Sequence, residues 1–319
     1  MGFEVIVTLG PSIFGSEKIK EMDSFGECIF RINGAHADEV EASEIIHSTR
    51  KILPDAKIMM DLPGNKIRTK NILEPMAVIK GQTFRLLNSQ TNFNNFHKHV
   101  QVGDIVLASD STLSLEVLNS ENDSVEFLAH SDGVLENNKG IHIRGINENM
   151  PFLFERDRKL IEVACSEKLD YLSLSYVRDD KDIKEVKNLL PNDNEVTLVA
   201  KIETAAAVRN LEKIMDIVNV VNIDRGDLSA EIGMMNIPET QSEVIKSGLS
   251  AGLRVFLATQ FLKNMEVNPL PLISETVSMY NVMNNGISGI QLSEETAVGK
   301  YPVECVEFIF EFYRRINRG

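Results

Sequence analysis

The sequence predicts an α/β fold: a (β/α)8 TIM barrel with a small antiparallel β domain inserted after its third strand. Three observations lead there. Short, nearly continuous apolar runs ending in polar residues recur along the 319 residues. Helical periodicity separates most of them. One stretch, from Lys70 to about Gly145, breaks the rhythm with alternating apolar and polar residues and frequent turn signals. Strands buried on both faces read as continuous apolar runs, as a parallel sheet under helices requires.

The β-rich runs fall at residues 4–10, 28–33, 57–62, 171–177, 197–203, 220–226, 254–260 and 287–293. Each has ordinary strand length. Helical patterns occupy 38–52, 156–166, 180–190, 205–217, 241–252 and 302–316, with apolar residues such as Leu160, Ile161 and Cys165 on one side. Gly252 and Gly286 stand where helices hand over to strands, as C-terminal caps do. Repeated βα units suggest barrel closure. Within 70–145, segments such as Leu113-Ser114-Leu115-Glu116-Val117 alternate with period two, and Gly81, Gly103 and Asp132-Gly133 cut between them. The expected division is therefore a barrel of 1–69 and 146–319 and an inserted domain of 70–145. An insertion at the C-terminal end of a barrel strand is expected to act as a lid.

Composition excludes several classes. Lys plus Arg number 33 against 47 Asp plus Glu, for a net charge of −14. That balance, without basic runs, argues against nucleic-acid binding. Three cysteines (Cys28, Cys165, Cys305), far apart, make neither a disulfide framework nor a metal motif, and fit a reducing compartment. No apolar run approaches the length of a membrane span, and no leader precedes the first strand. A cytoplasmic protein without membrane partners is expected.

Barrel chemistry sits at the C-terminal ends of strands. There the chain places Thr8, Arg31, Asn33, Asp61, Ser175, Lys201, Glu203, Asp227, Thr259, Ser293 and Glu295. Residues i and i+2 of a strand share a face, so Lys201 and Glu203 project inward together. Glu203 and Asp227 end adjacent strands and their carboxylates can meet. Two carboxylates with substrate oxygens and water suit Mg2+ (or Mn2+). A cation beside a metal stabilises a transferring phosphoryl group or an enolate. The alternative is a structural salt bridge inside the barrel. Arg31, Asn33 and Arg68 form a second group suited to phosphate, with surface ion pairing as its alternative. His36 lies three residues past Asn33 and reads equally as a surface residue. Gly226, within Asp224-Arg225-Gly226-Asp227, allows close backbone approach to a ligand.

In order along the chain, Val7-Thr8-Leu9-Gly10-Pro11-Ser12, Arg31-Ile32-Asn33, Asp61 with Gly64 and Ile67-Arg68-Thr69, Val102-Gly103-Asp104, Lys139-Gly140, Ala200-Lys201-Ile202-Glu203, Arg225-Gly226-Asp227-Leu228, Ala258-Thr259-Gln260 and Leu292-Ser293 with Glu295-Thr296-Ala297 resemble the pyruvate kinase family. The resemblance implies a catalytic barrel with an inserted β lid, and, since the chain reads as ending after the eighth helix, no regulatory domain. It implies that Glu203 and Asp227 hold the metal, aided by backbone carbonyls near Asp224. Lys201 would stabilise the phosphoryl group and the enolate oxygen, and Arg31 would contact the phosphoryl group. Thr259 would sit by the proton-delivery water, with Glu295 linked to proton delivery. Gly226 and Asp227 would seat the carboxylate of the small acid, and Ser175 would lie near the phosphoryl and monovalent-cation region. Asn33, His36, Arg68 and Lys139 would lie on the nucleotide side.

The departures cluster around substrate. Ala35 replaces a serine that helps bind K+, Leu62 and Pro63 replace Thr and Lys, and Lys66 replaces Glu. In the cation region (Asn33, Asp61, Lys66) the Lys66 ammonium would supply the missing charge, so K+ is not expected to be required. Ser109-Asp110-Ser111 replaces a more acidic lid turn, Leu272 and Ile273 stand where the family has Thr-Arg, and Glu294 and Val298 also depart. The leading expectation is a Mg2+-dependent phosphotransferase acting between phosphoenolpyruvate, or a related enol phosphate or hydroxy acid, and ADP or ATP. A Mg2+-dependent lyase or aldolase working through the enolate of a 2-oxo acid is the alternative, and a non-enzymatic relic a third. A monomer and a barrel-mediated homo-oligomer are both open.

Overall fold

The computed structural model describes residues 2–109, 112–121, 123–192 and 195–317. Eight parallel strands close into a barrel: β1 (Glu4–Thr8), β2 (Cys28–Asn33), β3 (Lys57–Asp61), β4 (Tyr171–Leu174), β5 (Thr197–Ile202), β6 (Val220–Asp224), β7 (Arg254–Ala258) and β8 (Gly289–Leu292). Each strand pairs with the next in chain order, and β8 returns to β1. The register sets Thr8 beside Arg31, Asn33 beside Asp61 and Lys201 beside Asn222.

Period-two alternation divides the barrel interior into levels. At the N-terminal end Arg254 pairs with Glu4 and donates to the Tyr171 hydroxyl at 3.0 Å. Above it Ile6, Ile29, Met59, Val199, Val220 and Phe256 form a buried apolar cluster. Gly289 makes room for it: a Cβ there would lie 2.6 Å from Phe256 Cε1 and 2.1 Å from the Glu4 carbonyl. The next level is polar and leads into the mouth.

Seven of the eight strands stop one to three residues earlier than the apolar runs suggest, because the following residues leave the ladder, while β2 ends at Asn33 as its run does. Tyr176, Thr259 and Gln260 turn into left-handed conformation, with φ of 58°, 72° and 56°. The predicted helix 38–52 forms as Glu39–Ile52, capped by Asp38 accepting from Val40 N and Glu41 N. Pattern 205–217 is two short helices, Ala205–Arg209 and Leu211–Met215, broken at Asn210, which donates to the Arg178 carbonyl at 3.1 Å. Pattern 241–252 begins earlier, at Ile237, with Pro238 in its first turn. Ile273–Asn284 also forms a helix, but Ile273, Val277 and Tyr280 on it are exposed, which blurs its periodicity. Among the described residues, no helix is long and apolar enough to cross a membrane.

The chain divides into two compact units, one of residues 1–64, 153–229 and 235–319, the other of 65–152 with 230–234. The second holds a six-stranded antiparallel sheet in the order Ile67–Arg68, Gly140–Ile143, Ile105–Ala108, Leu113–Glu121, Ser124–Ala129 and Thr83–Leu87. A two-stranded sheet pairs Met76–Val78 with Gly133–Leu135. Its core includes Leu86, Phe96, Val106, Val117 and Phe127. This division falls outside the 70 and 145 breaks read from sequence. Arg68 pairs with Gly140 in the sheet, and Asn65 donates to the Pro151 carbonyl at 3.2 Å, so both flanks join the insert.

On the barrel side, one carboxylate holds both connections. Asp157, in the first turn of helix Glu155–Ser166, accepts from Gly64 N at 2.9 Å and Phe154 N at 2.8 Å. Burial pushes its carboxyl up to about 6, against those hydrogen bonds. A raised carboxyl pKa means stability present when protonated and lost as pH rises, here between about 4 and 6 and on the order of 3 kcal/mol. Urea unfolding across that range should show wild type losing stability relative to Asp157→Asn as pH rises; a constant gap would contradict the assignment. Gly289→Ala should lower stability by about 1–3 kcal/mol by overpacking, read from the urea midpoint.

Candidate active site

Lys201 is buried at the C-terminal end of β5, on the same face as Val199 and Glu203. Its Nζ lies 2.9 Å from Glu203 Oε2, 3.1 Å from Asp224 Oδ2 and 3.8 Å from Asp61 Oδ2, and donates to Ser175 Oγ at 3.3 Å. Burial alone would lower its pKa. Asp61, Glu203 and Asp224 reverse that and hold it well above the ordinary lysine range. Burial likewise favours protonated Asp61, but Lys201 and Arg31 win and keep it ionised. Arg31 donates to Asp61 Oδ2 through Nε at 2.7 Å and to Thr8 Oγ1 through Nη1 at 2.8 Å, with Nη2 2.6 Å from Asp61 Oδ2. Thr8 passes the chain on to the Leu292 carbonyl at 2.7 Å. The arginine is thus held rigidly by buried partners.

Glu203 is fully buried. Its Oε1 accepts from Tyr176 N at 2.6 Å, a bond set up by the left-handed backbone of Tyr176, which a bulky residue adopts only at a cost. Oε2 faces Lys201 as an ion pair but receives no well-formed hydrogen bond. Burial pushes the carboxyl up to about 8; Asp224 and Asp227 add to the rise and Lys201 opposes it. One oxygen from each of Glu203, Asp224 and Asp227 lies within 4.8 Å of the others. Three hard oxygens brought this close together, one of them fully buried, fit Mg2+ or Mn2+, whose charge would relieve their repulsion.

Thr259 is a β-branched residue in left-handed conformation, and its Oγ1 accepts from Gly226 N at 3.1 Å. Arg225 helps hold this turn. It donates to the Thr259 carbonyl and to Ser278 Oγ at 3.3 Å, and its guanidinium lies 4.0 Å over the Phe261 ring. Burial brings its pKa down to about 10. Gly226 is exposed, and a Cβ there would lie 3.4 Å from Asp224 Oδ1 and 3.5 Å from Thr259 Cγ2. The protein's own packing nearly accommodates a side chain, so the glycine's advantage lies on the open side. Beneath, Asn222 donates to Gln291 Oε1 at 2.7 Å across the interior, since β6 and β8 are not neighbours. Arg31, Ser173, Asn222 and Gln291, on alternate strands, make a polar level where barrels usually carry branched apolar residues.

The residues singled out from sequence fall into distinct sets. Arg31, Asp61, Ser175, Lys201, Glu203, Gly226, Asp227 and Thr259 gather at the strand ends around β2 to β7. Asn33 Oδ1 accepts from Ala35 N at 3.1 Å and shapes its own turn, and His36 is exposed. Glu295 is buried, accepts from Ser293 N at 2.8 Å, and clusters with Glu266 and Glu294 rather than with Lys201. Lys66, Arg68 and Lys139 belong to the second unit. Arg68 Nη1 donates to the Asn138 carbonyl at 3.3 Å there, and Lys139 N to Thr69 Oγ1 at 2.7 Å. Asp110 and Ser111 lie outside the described residues. The Asp224 side chain, Ser173, Asn222 and Gln291 were not anticipated. Their inward parity was the available signal: Asp224 follows Val220 and Asn222 at steps of two.

Comparison with known proteins agrees along the whole chain. The family description "Pyruvate kinase, barrel domain" matches residues 2–306. The pyruvate kinase of Borreliella burgdorferi is 30% identical over 325 residues, covering 99% of this chain and 68% of its own length. That of Thermococcus litoralis is 32% identical over 321 residues, covering 96% and 68%. That of Sporosarcina psychrophila is 30% identical over 322 residues, covering 95% of this chain but 55% of its own. The chain therefore spans between about half and two thirds of these relatives. From its closed barrel, its inserted antiparallel sheet and these matches, the chain belongs to the pyruvate kinase family.

Proposed function

We propose that this chain transfers a phosphoryl group between phosphoenolpyruvate, or a related enol phosphate, and ADP, with Mg2+ or Mn2+ held by Glu203 and Asp227. The observation that carries this reading is the buried Lys201 ammonium, 2.9 Å from the Glu203 carboxylate at the edge of a three-carboxylate cluster. A bound divalent ion would offset phosphoryl and enolate charge at that cluster.

The chain's own groups do the rest by position and charge. Lys201 holds a fixed positive charge where the enol oxygen becomes negative as its bond to phosphorus breaks. Arg31, immobilised by Asp61 and Thr8, presents its guanidinium to the phosphoryl oxygens without reorganising. The new P–O bond forms to the terminal phosphate oxygen of ADP, and the enolate carbon takes a proton on the side of the Thr259 hydroxyl. The start of helix Arg225–Ile232 at Gly226 and Asp227 seats the substrate carboxylate, the Gly226 N–H exchanging its Thr259 Oγ1 acceptor for it. Ser175 orients Lys201 through its 3.3 Å contact. Asn33, His36, Arg68 and Lys139 serve the nucleotide. With Ala35 and Lys66 in the cation region, K+ is not required. Glu295, beside Glu266 and Glu294 and within electrostatic reach of Arg225, serves proton delivery at a remove.

Lys201→Met should reduce phosphoenolpyruvate-dependent ATP formation by about 10²–10³-fold or more while circular dichroism stays native. Its thermal midpoint should fall, because three carboxylates lose their buried counter-charge. Near-wild-type turnover would refute the role of Lys201. ADP with Mg2+ should raise the thermal midpoint of the wild-type chain. Protection by pyruvate and Mg2+ with no nucleotide effect would instead favour lyase chemistry through the enolate.

A further inference from the structure

The helix that begins at Gly226 and Asp227 ends inside the inserted unit. Arg225–Ile232 is one helix, yet the division of the chain falls after Ser229, and 230–234 pack with 65–152. Glu231, in the last turn, has a side chain only 3% exposed and takes no part in the phosphoryl transfer. We propose that Glu231 is a positioning residue: it anchors the end of this helix to the segment by which the inserted domain returns to the barrel, and thereby fixes the helix start that receives the substrate carboxylate. The carboxylate seat itself rests on the phosphotransfer reading.

Two groups of the returning segment meet one oxygen of Glu231. Gly145 N donates to Oε1 at 3.2 Å, and His142 Nε2 lies 3.3 Å from the same atom. His142 belongs to strand Gly140–Ile143, opposite Leu107 in the six-stranded sheet, and its side chain is nearly buried. Gly145 stands where the chain turns out of that sheet into Ile146–Asn149. The returning limb is tied in turn to the outgoing one, since the buried Asn65 donates to the Pro151 carbonyl at 3.2 Å. One carboxylate thus joins the sheet, the turn that follows it and the end of the helix.

Filling space does not call for a charge here. Burying a carboxylate is costly, and well-packed apolar residues of similar volume are often at least as stable in such a place. What the carboxylate adds is direction: an oxygen shared by two groups of the returning segment fixes the rotation of the last turn as well as its depth. An eight-residue helix is only about 12 Å long and hydrogen-bonded along its length, so a tilt at Glu231 is carried to Gly226. Between the ends, Leu228 is fully buried and serves as the pivot. At the start, Gly226 is exposed and Asp227 N makes a long 3.5 Å contact with Asp224 Oδ1, so alignment there draws on the far end.

The test combines amide hydrogen exchange with steady-state kinetics on the full chain. Without ligand, Glu231→Ala should speed exchange about tenfold or more at 140–146 and also at 226–229, the far end of the helix. His142→Gln leaves Glu231 in place and should act in the same direction to a smaller extent, which keeps the test decisive should Glu231→Ala fail to fold. Faster exchange confined to 140–146 and 230–234, with 226–229 as in wild type, would reduce Glu231 to a local contact and overturn the inference. In turnover, Glu231→Ala should raise KM for phosphoenolpyruvate by about tenfold with kcat within about twofold of wild type, the pattern of lost uniform binding. A fall in kcat at unchanged KM would also overturn it. A wild-type chain that does not turn over phosphoenolpyruvate and ADP would defeat the phosphotransfer reading alone, and exchange at 226–229 would still decide whether Glu231 positions the helix.

Discussion

A lysine ammonium enclosed by a closed barrel imposes the constraint around which the site is organised. Lys201 is removed from water on all sides, and an unpaired buried charge would cost far more than the fold can supply. Its neighbours follow from that demand: Glu203 two residues along the same strand, Asp224 on the next, and Asp61 across the mouth on β3. Once Asp61 is there, Arg31 and Thr8 become its supports. The result is a chain of ion pairs and hydrogen bonds running from β1 to β6, each member fixing the next.

Backbone strain is concentrated where that network meets the mouth. Tyr176 and Thr259 are both poor residues for left-handed backbone, yet each adopts it at a strand end. In both cases the turn creates a specific contact: Tyr176 N to Glu203 Oε1, and Thr259 Oγ1 to Gly226 N. Strain at one residue is held by rigid strands on either side, which is how a site keeps groups aligned without relying on flexible loops. The polar level of Arg31, Ser173, Asn222 and Gln291 extends the same principle downward. The charged cluster rests on side chains able to hydrogen-bond, and the apolar filling begins one level lower, at Ile6, Ile29 and Phe256.

The acidic cluster explains why the site has two faces. Burial first, and then the neighbouring carboxylates of Asp224 and Asp227, push the carboxyl of Glu203 up to about 8 against the pull of Lys201. A divalent ion would reverse that imbalance and turn mutual repulsion into ligation. Asp157 plays a comparable single-residue part elsewhere, tying Gly64 and Phe154 where the chain leaves and re-enters the barrel unit. Its carboxyl is also displaced by burial, but two backbone donors rather than a cation compensate it.

Much of this was legible in the chain alone. Apolar runs of strand length, separated by helical periodicity, announce a covered parallel sheet, and the change to period two marks the insert. Parity along a single strand placed Lys201 and Glu203 together, since i and i+2 share a face whatever the rest of the fold does. Local rules stop where contacts cross strands. Nothing near Asp224 in sequence says that its carboxylate will lie 3.1 Å from Lys201, or that Glu295 will turn toward Glu266. Strand ends were overrun because Tyr176 and Thr259 have β-forming side chains, and only tertiary hydrogen bonds make them leave the ladder. What the residues determined by themselves was the pattern of burial, because burial follows from local periodicity. Which charges meet was decided by barrel closure, because it brings together groups that the chain separates by more than a hundred residues.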